Sequence, residues 1–162
     1  MSATADTLSD VIHFYSYETG VSIELPVGFE EQSEQHHSVA YVDDPDDDST
    51  PAARVLVQVV AELDADDAAA AQSAVDGLAH GFAAQGGEVL ATRTETIDEV
   101  PTTTTLTRRT DPKLGGEWIF HQTAAAAEGR LISISALAPS ADQARRLPEF
   151  DAAIRSIRFV QL

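Results

Sequence analysis

Three aspartates in the acidic run 43–48 have the spacing of a calcium-binding loop. Asp44, Asp46 and Asp48 stand at alternate positions, as the first three ligands of an EF-hand loop do. Such a loop carries Gly at its sixth position and a bidentate Glu at its twelfth, whereas here the sixth is a serine and the twelfth is Val55. These two departures favour a solvated acidic loop, because carboxylates without partners are costly to bury.

Three histidines are candidate metal ligands, because imidazole suits zinc, copper or nickel. His36 and His37 are adjacent on a predicted strand, so their side chains would point to opposite faces, and only one could join His121 in a given site. A fourth histidine, His80, follows Asp76 by four residues on a predicted helix, which is the spacing of an ordinary exposed pair. We therefore predict neither a metal site nor a cofactor.

The sequence contains no recognisable catalytic motif. The nucleophile elbow Gly-x-Ser-x-Gly is missing, and the absence of cysteine removes thiol nucleophiles, disulfides and zinc–thiolate sites together. Gly115-Gly116 is followed by Glu117, whose charge would repel a phosphate group. We therefore predict that the protein is not an enzyme.

The candidate partner-binding residues fall into two groups. Trp118 and Phe120 share one face of a predicted strand, and Leu131 lies on the next strand of the same hairpin. These side chains either fill the core, the preferred interpretation for Trp118, or face a partner. Arg145 and Arg146 belong to the main basic concentration, whose other members are Arg108, Arg109, Arg155 and Arg158. Pairing with the chain's own carboxylates is preferred there, and an interface with an acidic partner is the alternative.

Hydrophobic periodicity predicts the elements that must carry these residues. Strands are predicted near 21–25, 37–42, 54–61, 88–97, 102–109, 117–123 and 131–137, and helices near 65–85 and 140–157. The strand at 54–61 is apolar on both faces, so we expect cover on both sides. The turn Glu128-Gly129 joins the last two strands.

The two helices have defined ends and faces. For the first helix, Asp64 is the predicted N-cap. Its apolar stripe is Ala71, Val75, Leu78 and Phe82, and a small-sided stripe of Ala70, Ala74, Gly77 and Gly81 predicts close approach to the sheet. For the second helix, Ser140 and Gln143 have the spacing of a capping box, and Pro148 predicts a break followed by a restart.

Together these elements predict an α+β fold with an antiparallel sheet of about six or seven strands and helices packed on it. Residues 1–11 are polar and are predicted to be a flexible N-terminus, and residues 12–162 form a single domain. The chain has 162 residues, which is an ordinary length for one domain with its own core.

The order of these elements resembles the PsbP-like α/β/α sandwich family, which includes bacterial secretion-effector chaperones and mycobacterial lipoproteins. Two segments carry the resemblance: the strand, Pro, x, Gly, Phe opening over residues 21–29, and the end of the chain over residues 150–159. The resemblance covers about residues 13 to 160. It implies that the protein binds other proteins and is not an enzyme. It carries over no functional residue.

The charge of the chain excludes one class of partner. The formal net charge is −17, and no Lys or Arg precedes Arg54. Such a chain is repelled by DNA, RNA and anionic membranes, because nucleic-acid binding depends on neutralising phosphates with Lys and Arg. No apolar run approaches the roughly 20 residues that span a bilayer, and the first residues do not have the pattern of a secretory signal. A cytoplasmic location is therefore expected.

Two hypotheses for function follow. The first is a non-catalytic protein-binding or adaptor domain, chaperone-like in character, which requires an exposed apolar patch on an element that no helix covers. The second is a carrier of a small apolar ligand between helix and sheet, which requires an internal pocket of ~300 Å³ or more.

Overall fold

Ten strands and two helices form the part of the chain that this computed structural model describes, residues 10–43 and 52–159. The strands are β1 (Val11–Ser16), β2 (Val21–Pro26), β3 (Phe29–Gln35), β4 (Ser38–Asp43), β5 (Arg54–Glu62), β6 (Glu88–Ile97), β7 (Val100–Thr110), β8 (Glu117–Ala127), β9 (Arg130–Pro139) and β10 (Arg158–Phe159). The helices are α1 (Ala68–Ala84) and α2 (Gln143–Arg155). The three calcium-spaced aspartates, and residues 1–9 of the predicted flexible N-terminus, lie outside the described residues.

The strands form two antiparallel sheets. The large sheet has seven strands in the order β3-β4-β5-β9-β8-β7-β6, and the small sheet has three in the order β1-β2-β10. The α+β class and the seven-stranded antiparallel sheet are confirmed. The separate small sheet was not predicted, because β1 carries no regular alternation and β10 is only two residues long.

The main core lies between the large sheet and a layer made of the small sheet and α2. Val21, Ile23 and Leu25 of β2 are almost fully buried there. They pack in the same core as Ile132 and Ile134, which are alternate residues of β9 in the large sheet. Phe150, Ile154 and Ile157 are buried in the same core, as predicted for α2.

The opposite face of the large sheet is covered by α1, which packs across β7, β8 and β9. Val75 and Phe82 are buried against Ala124 and Leu131, so the predicted apolar stripe is confirmed. The small-sided stripe, in contrast, approaches the sheet only at Ala74, which packs against the same cluster. Gly77 and Gly81 are exposed, and a Cβ atom added to either would meet no atom within 4 Å. The sequence prediction was wrong because both stripes have helical spacing, and the larger side chains gain more from burial.

The helix ends differ from the predicted ones. Asp67 caps α1 by accepting a hydrogen bond from the backbone N–H of Ala70, while Asp64 accepts from Asp66 in the preceding turn. The second helix starts with a 3₁₀ turn over Ser140–Asp142, and no side chain caps it. Ser140 and Gln143 therefore form no capping box.

Pro148 lies inside α2, and the helix continues through it without a restart. Strand β5 is the other departure. Its inner residues Val55 and Val57 are buried, but Gln58 and Val60 on its other face are exposed, because α1 does not extend over β5. The prediction of cover on both sides was wrong, since apolar composition cannot reveal how far a helix reaches across a sheet.

Strand β3 was not predicted, because its sequence, FEEQSEQ, has one apolar residue in seven. Its presence changes the location of the adjacent histidines. His36 and His37 form the turn between β3 and β4, and His37 has a positive φ of 67°. They are therefore turn residues with rings 3.6 Å apart, not neighbours on a strand.

Candidate functional site

A small cleft with charged side chains in its wall lies between α2 and strands β6, β7 and β8. It is lined by Ala91, Arg93, Thr104, Leu106, His121, Leu147 and Asp151. Ala91 and Arg93 of β6, like Thr104 and Leu106 of β7, are two residues apart, so both side chains of each pair point to the same face of the sheet. The cleft has a volume of about 70 Å³, which is room for on the order of two water molecules.

A histidine–aspartate pair forms the wall of this cleft. His121 is buried on β8, and its Nε2 lies 3.0 Å from Oδ1 of Asp151 on α2. The hydrogen bond with His121 is the main cause that lowers the pKa of Asp151 to about 2. Burial acts in the opposite direction, and Arg93 adds to the lowering. The other ring nitrogen of His121, Nδ1, is buried without a hydrogen-bond partner among the described residues.

An ion-pair chain extends from Asp151 toward the edge of the large sheet. Arg93 donates to Oδ1 of Asp151 at 3.1 Å and lies 2.6 Å from Oε2 of Glu95. Arg155 contacts the second oxygen of Glu95 at 3.3 Å. Burial disfavours the charge of Arg93, but its hydrogen bond with Asp151 and the nearby Glu95 outweigh this and raise the pKa of Arg93.

The charged side chains of this cleft are paired with one another. The carboxylate of Asp151 is shared between His121 and Arg93, so it is committed to the protein's own donors. The hydroxyl groups of Thr104 and Thr123 are likewise paired with each other, at 2.8 Å. A space of about 70 Å³ is much smaller than the ~300 Å³ or more of a typical small-molecule pocket. The contacts of Asp151 with His121 and Arg93 therefore hold α2 against the sheet.

The candidate residues of the predicted hairpin lie inside the domain. Trp118 is 1% exposed, and its Nε1 donates to the carbonyl of Gly115 at 2.8 Å. Phe120 is covered by the guanidinium group of Arg109, which lies 3.6 Å from the ring centroid. Leu131 packs under α1. Burial agrees with the preferred core role of Trp118 and leaves partner contact by these three residues without support.

The two candidate arginines have different environments. Arg146 is buried, and it donates to Asp43 at the end of β4 and to Glu149 at 2.9 Å. Asp43, the last residue of β4, is thus paired with Arg146 rather than part of a solvated loop. Arg145 is exposed. Pairing of the basic concentration with the chain's own acids holds for Arg146, and also for Arg155 and Arg108.

The histidines do not meet in one site. Among residues 10–43 and 52–159, no group of three or more His, Asp or Glu side chains is arranged to hold a metal ion. His36 lies 3.4 Å from Glu18, and His121 belongs to the cleft. Asp76 accepts a hydrogen bond from Gln72 at 2.9 Å, rather than pairing with His80.

A second feature is an exposed apolar surface that sequence reasoning missed. Of the seven large hydrophobic side chains exposed in the described chain, five lie on or beside β1: Val11, Ile12, Tyr15, Tyr17 and Val27. We call these five residues the β1 surface. Tyr17 is 76% exposed and Val27 is 64% exposed. The signal in the sequence was the cluster of aromatic residues at 14–17, within a stretch that shows no apolar–polar alternation.

Comparisons with known proteins agree with this architecture. No protein-family profile and no curated protein sequence matches the chain. Among solved structures, LpqN of Mycobacterium tuberculosis, described as involved in cell envelope biogenesis, superposes with a TM-score of 0.67 at 9% identity, over 96% of each chain. Cyanobacterial PsbP (CyanoP) from Synechocystis sp. PCC 6803 gives a TM-score of 0.65 at 16% identity, over 93% of each chain.

A mutant of Mog1 gives a TM-score of 0.57 at 15% identity, over 93% of this chain and 96% of that one. These similarities define the class: the chain is an α+β protein with the PsbP-like fold. The resemblance predicted from the sequence is thereby confirmed as a fold. At these identities no functional residue is carried across. Neither helix of the described chain combines the length and apolar character that crossing a bilayer requires.

Proposed function

We propose that this chain is a non-catalytic protein-binding or adaptor domain, chaperone-like in character, that contacts its partner through the β1 surface. The observation that carries the proposal is the concentration of exposed apolar side chains on and beside one edge strand: of the seven in the described chain, three lie on β1, one in the turn that follows it and one just after β2. Groups of exposed apolar side chains that form a patch often mark protein–protein interaction sites. The patch lies on an element that no helix covers, as the binding hypothesis requires.

The polar cleft supports a structural role rather than ligand transport. Its volume of about 70 Å³ is well below the ~300 Å³ that a small apolar ligand needs. Its charged side chains are also already paired. No observation favours the carrier hypothesis over the binding hypothesis, and the PsbP-like fold is one that the resemblance associates with protein binding.

A site-specific crosslinking experiment tests this proposal. A photoreactive phenylalanine analogue replaces Tyr17, and in a second protein it replaces Val89. Val89 is the matched control, because it is 47% exposed and lies on β6, an edge strand of the other sheet. In an extract of the source cells, we expect a discrete protein adduct from position 17 and none from position 89. The same adducts from both positions, or none from either, would contradict the proposal.

A pair of surface variants provides the second measurement. Tyr17→Ser with Val27→Ser removes the two most exposed side chains of the β1 surface, and Val60→Ser with Val89→Ser removes two exposed valines elsewhere. Both double variants should keep the wild-type melting temperature within a few degrees, because exposed substitutions change stability by roughly ±0.5 kcal/mol. Only the first should lose the crosslinked partner.

A further inference from the structure

The backbone of β1 has an unpaired edge in the described chain. Strand β1 pairs only with β2, in an antiparallel register without a bulge. The carbonyls of Asp10 and Ser16 accept hydrogen bonds within this hairpin, from Val27 and Gly20. Backbone groups of an antiparallel strand alternate between its two sides, so Val11, His13 and Tyr15 direct their N–H and C=O groups to the free edge. These are the groups that an added strand would pair with.

The side chains around this edge combine aromatic rings with carboxylates. Tyr15 and Tyr17 contact each other edge to face, with ring centroids 5.7 Å apart. Glu18 follows Tyr17 directly, and its side chain is 40% exposed. Glu24 lies opposite His13, which makes it the diagonal cross-strand neighbour of Tyr15. A cation held over either tyrosine ring would therefore have a carboxylate within reach.

The formal charge of this region has one sign. The first 53 residues contain twelve Asp and Glu and no Lys or Arg. Two guanidinium groups from later in the chain approach the small sheet, but both donate to backbone carbonyls: Arg130 to Thr19 and Arg158 to Ile157. Arg158 is moreover on β10, the opposite edge of the sheet from β1. Charge complementarity thus calls for a positively charged occupant.

We propose that the β1 surface binds an extended protein segment rich in lysine or arginine, which adds to β1 as a further strand. Its cationic side chains lie against Tyr15 and Tyr17 and pair with Glu18 and Glu24. This inference rests on the proposed protein-binding function and specifies the partner's chemistry. A second copy of the chain fits less well, because two β1 edges would bring like carboxylates together.

Short synthetic peptides test the chemistry directly. The first has about eight residues of alternating threonine and lysine, which is a normal strand length. In the second peptide, glutamate replaces every lysine. The third keeps the lysines but has proline at two of the threonine positions, so that it cannot pair as a strand. Binding is followed by fluorescence anisotropy of labelled peptides, and by the amide NMR signals of the labelled protein.

We expect the threonine–lysine peptide to bind most tightly, with the largest amide shifts at Val11, His13 and Tyr15. The glutamate and proline peptides should bind at least about tenfold more weakly. Affinity should fall as NaCl rises from about 50 mM to about 300 mM, because exposed charges are screened. Equal binding of the proline peptide would overturn strand addition, and equal binding of the glutamate peptide would overturn the basic partner.

Variants of the protein in which glutamine replaces glutamate complete the test. Glu18→Gln with Glu24→Gln should weaken lysine-peptide binding about three- to tenfold, as two exposed ion pairs would predict. Glu62→Gln with Glu99→Gln is the control, because it changes the net charge equally at two exposed residues outside the β1–β2 hairpin. Equal losses in both double variants would show diffuse attraction only and would refute the site.

Further results separate three claims: strand addition at β1, the basic character of the partner, and the proposed protein-binding function. His13→Pro removes one outward N–H of β1, at a place where an edge strand tolerates proline, and should abolish peptide binding. Sedimentation of the wild-type protein as a dimer that His13→Pro dissociates would assign the edge to a second copy instead. If position 17 crosslinks to a partner while the lysine peptide does not bind, the proposed function stands and the basic-partner inference is wrong.

Discussion

The imidazole Nε2 of His121 and the carboxylate Oδ1 of Asp151 lie 3.0 Å apart, and this contact ties α2 to the middle of the large sheet. The same oxygen of Asp151 accepts from Arg93 on β6 at 3.1 Å. One carboxylate thus connects the helix with two strands, β8 and β6, that are not neighbours in the sheet. Loss of the Asp151 carboxylate should therefore weaken the attachment of α2 to both strands and not remove only one hydrogen bond.

The first prediction concerns this carboxylate. Asp151→Asn should lower the free energy of unfolding by about 1–2 kcal/mol near neutral pH, the scale of hydrogen bonds to a partly exposed charged group. The pKa of Asp151 is about 2 in the folded protein against 3.8 ordinarily, so its stabilisation is present above about pH 4 and is lost as the pH falls toward 2. Urea unfolding at several pH values measures this difference. Asp76→Asn, which makes the same change at an exposed residue outside the cleft, is the control.

If the wild-type protein and Asp151→Asn differ by the same free energy at pH 7 and near pH 2, the charge of Asp151 is not the source of the stability. The variant should also leave binding at the β1 surface unchanged, because the cleft residues and the β1 surface share no residue.

The second prediction concerns the exposed glycines of α1. Gly77→Ala and Gly81→Ala should each raise the free energy of unfolding by about 0.5–1 kcal/mol, because alanine restricts the unfolded chain and has space in the folded one. Chemical denaturation measures the change.

Gly87→Ala is the contrasting control. Gly87 has a φ of 83°, and an added Cβ atom would collide with the carbonyl of Arg108 and the side chain of Arg109. This variant should therefore be destabilised. A loss of stability in Gly77→Ala would mean that the outer face of α1 is in contact with something after all.

The third prediction concerns Trp118. Trp118→Ala should cost roughly 3–5 kcal/mol, the usual effect of emptying a large buried aromatic site. Trp118→Phe should cost less, because a phenyl ring still fills part of the site, although it removes the hydrogen bond to Gly115 and some of the packed volume. The emission of the single tryptophan should be blue-shifted and poorly quenched by acrylamide. Red-shifted, readily quenched emission would contradict the burial of this side chain.

The fourth prediction concerns salt. With a formal net charge of −17, self-repulsion should destabilise the folded chain at low ionic strength. The melting temperature should therefore rise as NaCl goes from tens of millimolar to about 0.5 M. A flat curve would indicate that local ion pairs, such as those of Arg93 and Arg108, already compensate the repulsion.

Much of the fold could be predicted from the sequence because its signals are local. The turn Glu128-Gly129 has positive φ at both residues, 53° and 72°, and it sits between the two strands that alternation predicted. The apolar stripe of α1 is an equally local signal. Strands β1 and β3 were not predicted, because they are edge strands without a regular alternation of apolar and polar residues.

The candidate site was harder to predict because it depends on contacts between distant residues. His121 and Asp151 are 30 residues apart, and Arg93 lies 58 residues from Asp151. No spacing rule connects such residues before the strand order is known. For the same reason Trp118 and Phe120 were candidates for a surface: alternation states which face a residue occupies, but not what covers that face.

The order of strands in the large sheet has a consequence for how the chain folds. Strands β6, β7, β8 and β9 are consecutive in the chain and adjacent in space, so residues 88–139 can form a meander through short loop closures. Strand β5 joins this meander by pairing with β9, from Glu62 with Arg130 to Arg54 with Leu137, and these contacts close much longer loops. We expect the meander to be the structured part of the folding transition state. Substitutions in β8 should then slow folding, whereas substitutions in β4 should mainly accelerate unfolding.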